Sequence, residues 1–230
     1  MRKLLVALTT IGLLLGACGS DDDKKADSKT TTTEAAEKEV TEPGFAAKLL
    51  VVGDLPPGFE QDGEIEEADG SIGDDSTTFC DELSAADKGH TPDHQAQVSF
   101  ALGTEGSPNG LYVIESLGRF DTDAQATAAA KALKEGFEDC KTFSQTDPEN
   151  NTKIEGTFTT GTLTTAGADS FTTRMDASQS DATNSLNFDA DFSILRKGKH
   201  VIVLGLLLTG EAQYPAGALQ SIADKAAAKI

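Results

Sequence analysis

Three cysteines, three histidines and a few closely spaced carboxylates are the side chains of this 230-residue chain whose types suit chemistry. His90 and His94 have the i, i+4 spacing with which a helix offers two imidazoles to a metal, and Asp87 and Asp93 stand beside them. Gly89 and Pro92 deny that stretch a helix, so the two rings share no face and too few ligands gather. They read as part of a solvated loop, and His200 as the end residue of an apolar strand. Glu67, Asp69, Gly70 and Ile72 fall on positions three, five, six and eight of an EF-hand loop. Ile65 and Ser76 then occupy the first and twelfth positions, where the strongest calcium ligands belong. Asp189 and Asp191 have the spacing of a carboxylate pair, yet they alternate with apolar residues as the outer face of a strand does. The chain has no GxSxG, no P-loop and no GxGxxG opening a helix after a strand. The sequence therefore predicts no catalytic constellation, no cofactor, no metal site and no enzyme.

Cys18 is different. Met1, Arg2 and Lys3 give a positive start, and Leu4 to Ala17 an apolar run of 14 residues. Spanning a bilayer takes roughly 20 apolar residues of helix, whereas a charged start, a short apolar stretch and small residues at its end make a secretory signal peptide. Leu15-Gly16-Ala17-Cys18 resembles the lipobox of bacterial lipoproteins. That resemblance implies that the Cys18 thiol receives a diacylglyceryl group and that the bond after Ala17 is then cut. Acylation of the new N-terminus adds a further chain, such as palmitate, and stable anchoring takes more than one.

Removing residues 1–17 takes Arg2 and Lys3 from the 19 bases and none of the 38 acids, leaving a net charge of −21. Such a polyanion releases no counterions from nucleic acid and is repelled by anionic headgroups, so the expected partner is the membrane, held through the lipid alone. The remaining cysteines, Cys80 and Cys140, form an even pair in an exported chain and read as one disulfide.

Positioning these groups falls to three segments: the signal peptide (1–17), an acidic, Thr-rich tether (18–43) and a domain (44–230). The tether carries Val40 as its one bulky aliphatic and lacks the apolar surface to fold. In the domain, Gly44 to Val52 reads as a short helix, stopped by Gly53-Asp54-Leu55-Pro56-Pro57-Gly58-Phe59. Glu60 to Thr77, with eight acids and no base, reads as a loop or ragged strand. Gln95–Leu102 and Leu111–Leu117 predict an antiparallel hairpin. Ala126, Ala130, Leu133, Phe137 and Cys140 step by four and three along one helical face, capped by Asp121 or Asp123. Ile154–Thr165, Ser170–Asp176 and Leu186–Ile194 read as strands. In the last of these, Asn187, Asp189, Asp191 and Ser193 point outward. Val201–Leu208 is apolar throughout, as a strand covered on both faces must be. Leu219, Ile222, Ala223, Ala226 and Ile230 stripe a final helix. The fold class that follows is α+β, an antiparallel β-sheet with helices packed mainly on one face.

Leu49-Leu50 followed by Asp54-Leu55-Pro56-Pro57-Gly58-Phe59 resembles the opening of the PknH-like extracellular sensor domains of actinobacteria. The later order of hairpin, alanine-rich helix ending in cysteine, strands, Lys-Gly turn, apolar strand and last helix is similar too. Phe59 stands where tryptophan is common in that family, and one disulfide is available where many members have two. The resemblance implies a domain on the outer face of the cell membrane with a cleft for an unidentified small ligand or envelope component. A non-enzymatic sensor or ligand-binding module is the function expected. The alternatives are a carrier of envelope lipid or lipoglycan, and a structural surface lipoprotein. Carboxylates and hydroxyls concentrate around Asn187, Asp189 and Asp191. Where these residues meet the Thr-rich strands and the acidic stretch Glu60–Asp75, a cationic or sugar-like ligand is expected to bind.

Overall fold

The computed structural model of the chain describes residues 44–70, 80–103, 110–147, 152–165, 167–181, 185–210, 212–215 and 217–230. Cys18 and the tether lie outside them. The strands are β1 (Glu60–Gln61), β2 (Glu66–Asp69), β3 (His94–Leu102), β4 (Leu111–Arg119), β5 (Thr142–Asp147), β6 (Thr152–Gly161), β7 (Asp169–Ser180), β8 (Ser185–Lys197) and β9 (His200–Thr209). The α-helices are α1 (Asp81–Lys88), α2 (Asp123–Asp139) and α3 (Ala218–Lys229). All the strands join one antiparallel sheet in the order β1-β3-β4-β9-β8-β7-β6-β5, with β2 also pairing to β3. The α+β class and the antiparallel sheet are as the sequence predicts.

The side-chain alternation of β9 explains the layering. Val201, Val203 and Leu207 enter one core, while Ile202, Leu204, Leu206 and Leu208 enter the other. A central strand apolar on both faces needs cover on both. On one face α2 packs over β6, β8 and β9, with α1 against α2. Ala126, Leu133 and Phe137 of α2 meet Phe158, Phe171, Met175 and Phe192 there. On the opposite face α3 packs on β8 and β9, and the segment from Phe45 to Phe59 completes the same core with β3, β4 and β9. Among the described residues α1 and α2 thus share a face, and α3 takes the other because β9 requires it.

Two local readings are corrected. Residues 44–52 form 3-10 turns at Ala46–Lys48 and Val52–Asp54 rather than a helix. The Leu50 N–H goes to the Glu115 carboxylate at 2.6 Å, not to a carbonyl one turn back. The cap of α2 is Thr122, whose hydroxyl accepts from Gln125 N–H, and not Asp121 or Asp123. Two elements escaped the pattern altogether, α1 and β5, the first eight residues long and the second six.

Candidate functional site

Because α3 packs on β9 and on the Ser193–Lys197 end of β8, the same face of β5 to β7 and of the first half of β8 is left open among the described residues. Strand periodicity places every second side chain there. The registers Thr142↔Thr157↔Asp176↔Asp189 and Ser144↔Glu155↔Ser178↔Asn187 then bring eight polar residues from four strands into two adjacent rows. These residues, with Phe143, Gly156 and Ala177, line an open concavity of about 700 Å3.

Of the residues expected in a site, Asn187 is exposed at this concavity and Asp189 lines it, while Asp191 is half-buried one step further along β8. No pattern in the sequence marks the cation that organises them. Arg174 of β7 donates through Nε to Asp176 at 2.9 Å and through Nη2 to Asp189 at 2.9 Å, and Nη1 lies 3.5 Å from Asp191. One guanidinium thus serves three carboxylates, and Lys153 pairs with Glu155 beside them. Four acids against two bases leave the patch anionic. Burial pushes the Asp191 carboxyl above its usual range, Asp189 and Asp176 push the same way, and Arg174 opposes them. Ser193, read as the next outward residue, is fully buried, since its strand neighbour Leu195 already belongs to the core under α3.

Residues 60–70 of the acidic stretch do not join this site, and residues 71–75 lie outside the described residues. The described part, β1 and β2, pairs to β3 at the far edge of the sheet, with β3, β4 and β9 between it and β8. There Glu67 and Asp69 turn to His94, whose Nε2 and Nδ1 lie 3.3 and 2.8 Å from their carboxylate oxygens. His94 is therefore no loop residue. It opens β3, is 2% exposed, and meets the ring of Phe45 edge-on at 4.8 Å. His200 stacks near the same phenylalanine and accepts from Lys48 Nζ at 3.2 Å. Among the described residues, no group of three or more His, Cys, Asp or Glu side chains is arranged to hold a metal ion.

The segment that carried the family resemblance holds the structure together rather than lining the concavity. Leu55 and Phe59 are buried against β3 and β4, and Asp54 forms an ion pair with Lys229 of α3 at 2.6 Å. Lys229 also donates to Leu49 O, and Lys225 to Asp54 O. Cys80 and Cys140 are joined with Cα atoms 6.1 Å apart, tying the start of α1 to the end of α2 just before β5.

A solved structure, that of the extracellular domain of PknH from Mycobacterium tuberculosis, superposes with a TM-score of 0.56 at 14% sequence identity. The match covers 83% of this chain and 96% of that one. At that identity the likeness shows a shared fold, so the resemblance read from residues 49–59 holds at the level of architecture. No protein-family model matches the chain. Comparison with curated protein sequences gives no match either. Among the described residues no helix is long and apolar enough to cross a membrane.

Proposed function

We propose that this chain is a surface-anchored lipoprotein, fastened through Cys18, whose domain is a non-enzymatic extracellular sensor or ligand-binding module. The observation that carries the reading is the open polar concavity on β5 to β8. A sheet face left bare beyond α3, and floored by hydroxyls and carboxylates, suits recognition of a cationic or sugar-like ligand. The architecture shared with an extracellular domain supports the placement outside the cell. The absence from the sequence of any nucleophile, base or phosphate-cradle motif supports a binding role.

A thermal-shift screen of spermine, calcium, magnesium and neutral oligosaccharides, run at low and high salt, tests the reading. Stabilisation by a cation or sugar that Asp189→Asn and Asn187→Ala both abolish is the expected result. Stabilisation by an anionic fragment that neither variant alters would overturn it. A lipid found by native mass spectrometry in the detergent-extracted protein would favour a carrier instead. The anchor is tested separately. Cys18→Ala should leave the precursor unlipidated and uncut after Ala17, and cleavage of that variant at the same bond would refute lipidation.

A further inference from the structure

The sheet ends differently at its two edges. At one edge the outer side of β3 is occupied by β1 and β2, both short and acidic. At the other edge β5 is the last strand, and among the described residues nothing pairs with its outer side. Edge strands are usually blunted by lysine, proline or a bulge. Over Thr142–Thr146 (TFSQT), β5 has neither lysine nor proline, and it pairs with β6 residue for residue without a bulge.

The direction of its backbone groups follows from one contact. Phe158 N–H donates to Lys141 O at 3.1 Å, which makes Lys141–Phe158 a hydrogen-bonded pair of the ladder. Such pairs alternate in an antiparallel register, so Phe143 and Gln145 face β6, while Thr142, Ser144 and Thr146 turn their N–H and C=O groups outward. Thr142 and Ser144, with Phe143 between them, also line the concavity, and these two share its face of the sheet. A strand added to β5 therefore places every second side chain on the concavity face. The disulfide at Cys140 holds the start of this edge two residues before Thr142, so little ordering is needed on binding.

Charge selects the occupant. Glu155 lies directly across β5 from Ser144, about two strand spacings or ~10 Å from an added strand. Only a threonine and a serine stand in the way, so a lysine or arginine on the incoming strand reaches over them to that carboxylate. The Lys153–Glu155 pair it meets is about half exposed on both sides and is readily exchanged. A second copy of this chain fits poorly. Two β5 edges joined antiparallel about Ser144 would bring two anionic concavities side by side, between molecules that each carry a net charge of −21 once residues 1–17 are removed.

We infer that the free edge of β5 takes an extended peptide with basic residues at alternate positions, added as a tenth strand over the concavity. This rests on the concavity being the binding face and names the class of partner it takes. The test titrates the 15N-labelled full chain with Ac-Val-Lys-Val-Lys-Val-Lys-NH2. In parallel it uses the same peptide N-methylated at its three lysines, which keeps the charge and removes the N–H groups that would pair with β5. The unmodified peptide should shift the Thr142, Ser144 and Thr146 amides, and N-methylation should weaken binding at least tenfold. Ser144→Pro removes an outward N–H and no internal ladder bond, and should weaken binding by a similar factor. Equal binding of the two peptides would overturn the inference. So would binding of spermine at Glu155 and Asp189 without peptide binding, which leaves the concavity reading intact. Failure of the unmodified peptide to bind defeats the inference whatever spermine does, failure of every cation and sugar to stabilise the chain defeats the concavity reading as well, and a concentration-dependent dimer through β5 would assign the edge to a second copy.

Discussion

The two halves of the sheet put the same kind of strand to opposite uses. In the β3–β4–β9 half, charged groups on the face under α3 and the Phe45–Phe59 segment are consumed internally. Glu115 is buried against Leu50 N–H, Asp54 is held by Lys229, and Lys48 reaches His200. Across β8 the same face changes character. Asp189, Asp191 and Asp176 share one arginine at the surface, and serine and threonine hydroxyls fill the space between. What separates the halves is helix coverage. A carboxylate sealed under a helix must be paired, neutralised or spent on a backbone donor, whereas one left in water remains available to a ligand.

The largest expected effect lies beside the open half. The Cys80–Cys140 link closes a separation of 60 residues, which in the chain-entropy model is worth roughly 4 kcal/mol. Replacing both cysteines by alanine should lower the denaturation midpoint accordingly, and should loosen α1 and the start of β5 more than β3 and β4. Hydrogen exchange resolved by residue checks both statements. Uniform loosening would mean that the halves are not independent.

The sealed half carries the pH dependence. Burial raises the Glu115 carboxyl from 4.5 to about 7, with Asp54 adding to the rise and the Leu50 N–H and Lys229 opposing it. Its Oε1 has no hydrogen-bond partner among the described residues. A group whose folded pKa is raised binds more protons folded than unfolded between the two values. Its contribution is therefore full below about pH 4.5 and is lost as pH rises through about 7. The expected loss is roughly 3 kcal/mol across that window. Glu115→Gln keeps an acceptor for Leu50 and should flatten that part of the stability–pH curve, as urea titrations at several pH values would reveal. An unchanged slope would locate the titrating group elsewhere.

The smallest effect on stability belongs to the open half. Arg174 is 44% exposed, so Arg174→Gln should cost at most about 1 kcal/mol. The same change removes the one cation that Asp176, Asp189 and Asp191 share, so spermine affinity should rise and its salt dependence should steepen. A fall in affinity would show that the arginine is itself a ligand contact.

Legibility followed burial. The alternation of Phe188, Ala190, Phe192 and Ile194, the unbroken apolar run of β9 and the stripe of α2 are long patterns, each imposed by a complete apolar layer. β5 buries one large apolar side chain, Phe143, because an edge strand meets the core on one side only, and a single phenylalanine carries no period. Helix α1 is little more than two turns long, too short to establish one. The burial of His94 depends on Phe45, Glu67 and Asp69, residues 25 or more positions away, and no local reading of HTPDH contains them. Asp189 and Asp191 were legible as outward-facing. Arg174 became their partner through the register Arg174↔Asp191, which periodicity does not fix.

The central claim is that the open β5–β8 face, and not the acidic β1–β2 edge, meets the ligand. Both surfaces are rich in carboxylates, so a cationic probe chooses between them. A 15N chemical-shift titration of the full chain with spermine makes the choice visible. Shifts should concentrate at Thr142, Ser144, Glu155, Asp176, Asn187 and Asp189. Shifts concentrated instead at Glu66, Glu67, Asp69 and His94, with the concavity silent, would contradict it.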